Sequence, residues 1–340
     1  MSVRWEDINA RARGLGSRLL QPEALARLAQ VRDLQELSHA LAGFGVVPEE
    51  IPDASAATLE LALRRSAGSA LHVARRWLGE RSEVVAVALE AEDRRSLRAL
   101  VRGAVAGVHA EARLTGLVPT PSLPERLLHE LAGRSRVRDQ AALLVAAGHP
   151  YGSPLLAAAA AQEPDLFLIE LAIARTFAER ALRGARRDGR VLREYVGDLI
   201  DIDNCRTVLL LAQRAGEPAP EAFIAGGRRL TKEDFARAAR AGDPTSAARV
   251  LGEALGGGTP AALLLRHAMA PPALEQALDA RLGDRLLRES RLDPLGPAPL
   301  LLFCHRLRAQ AVALGELVWS VDLGVPPGLR WLIEDGGRAA

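Results

Sequence analysis

The chain has 340 residues, of which 49% are hydrophobic but only 4% aromatic, and its 44 basic and 42 acidic side chains leave a net charge of +2. So few aromatic and β-branched residues disfavour an all-β fold, while Leu, Ala, Arg and Glu are strong helix formers. Arginine alternates with Asp and Glu nearly throughout, and Lys232 is the sole lysine, so the concentrated basic stripe of a nucleic-acid binder is absent.

The opening Met1-Ser2-Val3-Arg4-Trp5-Glu6-Asp7 turns polar at once, so no signal peptide is expected. Pro22-Glu23-Ala24-Leu25 opens an amphipathic helix, with proline at the first turn. A second short helix is expected over 31–41. Longer helices follow, carrying Leu59-Glu60-Leu61-Ala62-Leu63 and then Asp93-Arg94-Arg95-Ser96-Leu97-Arg98, with Gly107 as the left-handed stop.

The same order then recurs. Pro124-Glu125-Arg126-Leu127 opens a helix, and a short one is expected over 140–147. Long helices over 166–187 and 190–215 carry Ile169-Glu170-Leu171-Ala172-Ile173 and Asp201-Ile202-Asp203-Asn204-Cys205-Arg206. Apolar residues three and four apart mark one face of each. Arg187-Asp188-Gly189 is read as the turn between them, and Gly216 as the closing stop.

In the third copy Thr231 is the expected N-cap before Lys232-Glu233-Asp234-Phe235, and a short helix is expected over 245–255. Leu274-Glu275-Gln276-Ala277-Leu278 repeats the first motif, 105 residues after the second copy and 215 after the first. Arg308-Ala309-Gln310-Ala311-Val312-Ala313 keeps the second motif's position but loses its polar pattern, and Gly324 closes the helix. Short extended pieces are allowed at 43–47 and 223–225, and Gly256-Gly257-Gly258 reads as a linker.

The expected fold is therefore all-α, with three tandem helical repeats of about 108 residues over 1–118, 119–227 and 228–340. Three large units favour closure around a pseudo-threefold axis into a funnel with a central hollow. No apolar stretch approaches the ~20 residues of a membrane span. Cys205 and Cys304 are far apart inside apolar stretches, which suits packing in a reducing compartment.

Catalytic signals are missing. No phosphate-binding loop, dinucleotide fingerprint or nucleophile elbow is present. The seven histidines lack paired-ligand spacing. No cofactor, metal or small-molecule substrate is expected. One polar group stands out on an apolar helix: Asp201, Asp203, Asn204 and Arg206, matched one unit earlier by Asp93 and Arg98. Asp203 and Arg206 are three apart, a spacing at which they can pair. The group reads either as a carboxylate site or as a polar network pinning helices together, and its recurrence favours the network.

The stretch Tyr195-Val196-Gly197-Asp198-Leu199-Ile200-Asp201-Ile202-Asp203-Asn204-Cys205-Arg206-Thr207-Val208-Leu209 resembles the acid-x-acid-Asn-x-Arg helix of the C subunit of V/A-type ATPases, whose eukaryotic counterpart is the d subunit. Ile8-Asn9-Ala10-Arg11, Leu97 to Gly107, Ala222 to Arg228 and Asp293-Pro294-Leu295-Gly296 fit the same family. The resemblance implies a non-catalytic rotor component of a proton- or sodium-translocating ATPase or ATP synthase. Such a component holds the central-shaft subunits, of D and F type, in its hollow. It stands on the membrane rotor ring of proteolipid on the cytoplasmic side, with room for a contact to the stator membrane subunit, and binds no nucleic acid. Arg98 and Arg206 would then lie near the hollow. The alternative is a soluble helical-repeat scaffold that binds a peptide or a regulatory protein.

Overall fold

The computed structural model describes residues 5–47, 49–78, 83–161, 165–185, 189–213 and 219–327, and all the regular structure there is helical. Gly216, the Arg187-Asp188 part of the expected turn and the end of the C-terminal tail lie outside these residues.

A first helix, α1 (Trp5–Gly16), precedes two short helices, α2 (Pro22–Leu28) and α3 (Leu34–Gly43), and two long ones, α4 (Ala56–Leu78) and α5 (Glu83–Val105). After the single turn α6 (Ala110–Arg113) come three short helices, α7 (Glu125–Ala132), α8 (Val137–Ala146) and α9 (Gly152–Ala158). The long helices α10 (Leu166–Ala185) and α11 (Gly189–Ala212) follow. Three more short helices, α12 (Lys232–Ala239), α13 (Pro244–Ala254) and α14 (Gly258–Arg266), lead to the long pair α15 (Pro271–Leu292) and α16 (Ala298–Asp322).

Local chemistry sets many of the boundaries. Asp33 caps α3 through the Glu36 amide, and Asp243 caps α13 through the Ser246 amide. Thr231 and Asp234 form a reciprocal capping box at the start of α12. Gly107 and Gly324 both adopt φ +67°. The next amides, of Val108 and Val325, reach back to the Gly103 and Ser320 carbonyls, which closes α5 and α16 in the manner expected of glycine stops.

Three expectations need correction. The segments at 43–47 and 223–225 form no strand. Gly43 ends α3, and Phe223-Ile224 is irregular backbone bound to a side chain of α11. Gly256-Gly257-Gly258 is not a linker alone, since Gly258 begins α14. Helices α9 and α14 each add a third short element that the periodicity did not reveal, because their segments are nearly unbroken runs of small and apolar residues with no polar face to mark a period.

The long helices pack in a cyclic order: α5 on α10, α10 on α11, α11 on α15, α15 on α16, α16 on α4, and α4 back on α5. Neighbours run antiparallel. Arg102 near the end of α5 meets Glu170 near the start of α10, and Glu90 near the start of α5 meets Arg180 near the end of α10. Arg190 and Glu289 pair at one end of α11 and α15, while Gln213 donates to the Ala268 carbonyl at the other. Short helices pack outside this ring: α7 and α8 touch α5, α9 touches α10, α12 and α13 touch α11, α14 touches α15, and α3 touches α16. One apolar cluster extends from Ile8 to Ala311, and a second joins α2, α3 and α4 to the end of α16. Among the described residues no helix is long and apolar enough to cross a membrane.

Candidate functional site

Helices α5, α10, α11 and α15 each turn charged side chains toward one another inside the ring. A buried arginine or carboxylate is stable only when partnered, because desolvation costs several kcal/mol per ion. Here the partners come from different helices. Asp203 accepts from Arg94 and, at 2.8 Å, from Arg98 Nη2. Arg98 Nη1 donates to Glu275 at 2.9 Å. Glu275 also lies 3.4 Å from Arg206 Nε and 3.7 Å from Arg102 Nη2. Glu170 pairs with Arg206 and accepts from Arg102 Nε at 2.5 Å. Arg94 also stacks over the Phe177 ring at 4.6 Å. Four guanidinium groups and three carboxylates thus tie four long helices together.

Electrostatics follow from that mixture. Burial would raise the Glu275 carboxyl, but Arg98, Arg206 and Arg102 outweigh it and hold the group far below the usual range. Burial, with the like charge of Arg98, pushes Arg206 down to about 8, against the pull of Glu275. The shared partners therefore act as a single unit, and removing one member strands neighbours most of which are 5% exposed or less.

The six residues singled out in the sequence, Asp93, Arg98, Asp201, Asp203, Asn204 and Arg206, are each 5% exposed or less. Arg98, Asp203 and Arg206 enter the network. The expected pair of Asp203 with Arg206 does not form. Asp203 turns to Arg94 and Arg98 of α5, and Arg206 to Glu170 of α10. Bonds to neighbouring helices satisfy both groups where a local pair would satisfy only one turn of α11.

Asp93, Asp201 and Asn204 do something different: they hold the segment that enters the next set of short helices. The Asp201 carboxylate accepts the backbone amides of Arg228, Arg229 and Leu230 at 3.0, 2.8 and 3.2 Å, just before α12. Burial nonetheless raises its pKa to about 6, against those three amides. Asn204 pairs with both backbone groups of Ile224, at 2.8 and 2.9 Å. Asp93, 108 residues earlier, accepts from the Thr120 hydroxyl at 2.5 Å and from the Ser122 hydroxyl, just before α7. On α16 the corresponding turn carries Arg308 and Gln310. Arg308 pairs with Asp279 of α15. Gln310 Oε1 accepts the Leu20 amide at 2.6 Å, just before α2. Each second long helix thus grips the entry to a set of short helices, and the third grips the first.

Sequence reasoning missed Arg94, Arg102, Glu170 and Glu275 as site residues. The two glutamates stand in the recurring aliphatic-Glu-x-Ala-aliphatic motif, so the signal was present as period rather than as chemistry. Its third glutamate, Glu60, is buried on α4 and accepts the Gly116 amide at 2.8 Å. It faces Gly315 of α16, in a turn where Ala313 stands in the register of Arg98 and Arg206. Without an arginine from α16, burial raises the Glu60 carboxyl, against Gly116 and Arg64. Among the described residues no group of three or more His, Cys, Asp or Glu side chains could hold a metal ion.

A family model for the ATP synthase (C/AC39) subunit matches residues 8–308. The chain is 28% identical over 297 residues to the V-type ATP synthase C subunit of one Thermus thermophilus strain, covering 86% of this chain and 85% of that one. The protein of the same description from a second strain of that species matches with the same identity and coverage.

Proposed function

The chain belongs to the ATP synthase (C/AC39) subunit family of rotary ATPases, and from that premise we propose that it is the rotor's coupling piece. In this reading it links the central shaft to the membrane rotor ring, on the cytoplasmic side, and passes torque between them without chemistry of its own. The three runs of short and long helices are three units closed about a pseudo-threefold axis.

The observation that carries the reading is the cross-unit wiring. A torque-bearing part must resist shear between its units. Asp93, Asp201 and Gln310 each bind the entry to the next unit, and Arg98 joins α5 of the first unit to α11 of the second and α15 of the third. Because bonds that cross unit boundaries cannot be exchanged for local ones, sliding of one unit breaks buried ion pairs, each break being costly.

The test is capture of the tagged chain from gently solubilised membranes. Shaft and ring subunits should co-purify in fixed ratio. Recovery of soluble partners alone would favour the peptide-binding scaffold instead.

A further inference from the structure

Direct ion pairs join α5 to α11 and α15, and α11 to α10 and α15. Helix α16 is tied differently. Its Arg308 pairs with Asp279 of α15, within the same unit, and among the described residues no hydrogen bond or ion pair joins α16 to α5 or α11. Asp279 also accepts from Arg95 of α5 at 3.0 Å, so both of its oxygens are engaged. Beside these side chains lies a cavity of about 10 Å³, lined by residues of α4, α5, α11 and α16. Its polar lining is Glu92, Arg95, Tyr195, His305 and Arg308.

Two buried atoms of that lining, Arg308 Nε and His305 Nδ1, meet no hydrogen-bond partner in the chain. His305 Nδ1 stands 4.0 Å from Asp279, on a side chain 7% exposed, which is too far for a hydrogen bond. The imidazole cannot close that gap by moving toward α15, because its Nε2 already packs against Gly283, where a Cβ would lie 2.5 Å away. Burial holds His305 neutral by pushing its pKa down to about 4. Glu92 is buried as well, and its one ionic partner, Arg95, is 3.5 Å away. Leaving buried donors and acceptors unmade is costly. A cavity with polar walls holds water once it offers about 10–15 Å³ and two or more partners, and this one meets both conditions. Its two guanidinium groups are balanced by the carboxylates of Glu92 and Asp279, so a neutral ligand suits it better than an anion.

We propose that this cavity binds one water molecule, which accepts from Arg308 Nε, bonds to His305 Nδ1 and donates to the Glu92 carboxylate, and so supplies the polar link between α16 and α5. The Tyr195 side chain brings α11 to the same site. A water bridge of this kind is nearly as good as a direct hydrogen bond. It explains how α16, whose Ala313 stands where α5 and α11 carry Arg98 and Arg206, is still joined to the ring by polar contact. The third unit is cross-linked through solvent where the first two are cross-linked through ions. The inference concerns the interior of the ring and stands whether or not the coupling reading holds.

The test is a crystal structure of the full chain, at a resolution that shows buried waters elsewhere in it, together with water-to-methyl nuclear Overhauser effects in methyl-labelled protein. An ordered peak should lie about 2.7–3.2 Å from Arg308 Nε and His305 Nδ1, and the Ala88 methyl, which lines the cavity, should show an effect from water. Two variants test the link. His305→Leu removes a partner, and His305→Gln keeps a polar one. The peak should vanish in the first and persist in the second. Hydrogen exchange in α16 around residue 305 should quicken about five- to tenfold in His305→Leu relative to His305→Gln, the scale of one net hydrogen bond. A wild-type cavity without a peak, with Arg308 Nε turned to a protein group, would overturn the proposal. So would an anomalous signal at the site after a bromide soak, which would mark an anion, or exchange in folded His305→Leu equal to that in wild type. If His305→Leu does not fold, the wild-type density and the Ala88 effect decide.

Discussion

Asp201 lies directly against Gly227: a Cβ at that position would overlap the carboxylate oxygen that accepts the Leu230 amide. The glycine is needed for space, since only a backbone without a side chain lets the loop curl around the carboxylate. Gly227→Ala is expected to destabilise the chain by about 2–4 kcal/mol, through loss of buried hydrogen bonds and local overpacking. Urea unfolding followed by circular dichroism measures it.

Asp201 also predicts a pH dependence. In the fold its carboxyl keeps a proton up to about 6, whereas an unfolded aspartate releases it near 4. Between those values the unfolded chain binds fewer protons, so stability falls as pH rises, by about 2–3 kcal/mol for this group. Asp201→Asn should remove that part of the slope. It should also lower stability throughout, because an amide cannot accept from both sides of the Arg228–Leu230 loop. Unfolding midpoints between pH 4 and 7 give both numbers.

Arg98 and Asp203 form a buried pair across α5 and α11 at 2.8 Å. Charge reversal at Arg98 or Arg206 therefore acts on the fold before it acts on any partner. Either reversal, or Asp203→Ala alone, is expected to cost about 3–5 kcal/mol by leaving unpaired charge inside. In a double-mutant cycle on Arg98→Met and Asp203→Leu the losses should be less than additive, with stability only partly restored because Arg94 and Glu275 each still lack a partner. Additive losses would mean that the two groups act independently.

Glu60 should behave in the opposite way to Glu275. Its carboxyl is raised in the fold, so its contribution is favourable below the unfolded pKa and is lost as pH rises through the folded value. Glu60→Gln keeps an acceptor for Gly116. It should raise the unfolding midpoint at pH 7 and leave it unchanged at pH 4.

Gln310→Ala removes the acceptor for the Leu20 amide. Hydrogen exchange should quicken over residues 17–21 and remain slow at Leu230, whose amide is held by Asp201. Equal protection in variant and wild type would show that the α1–α2 link is held by packing alone.

What the sequence made legible were features with a local cause. Helix openings at Pro22 and Thr231, stops at Gly107 and Gly324, and the apolar stripe of α10 all follow from residues within a few positions of one another. The pairing of charges did not. Asp203 has Arg206 at helical spacing, yet its partners stand 105 and 109 residues away on α5. Local spacing states what can meet on one helix; the choice among burial partners is made by packing between helices. Arg308 and Gln310 looked like decay of a motif. In the fold Gln310 performs on Leu20 the task that Asp201 performs on Leu230, with an amide oxygen accepting the backbone N–H in place of a carboxylate. The third short helices, α9 and α14, are runs of small and apolar residues without a polar face, so no period of 3.6 residues shows in them.

The most direct measurement of the central claim is proton or sodium pumping by the membrane complex with the chain removed and then restored. If the chain is the coupling between shaft and ring, ATP hydrolysis by the head persists without it, ion pumping stops, and adding back the purified protein restores pumping. Undiminished ion pumping in a complex verified to lack the chain would contradict the account.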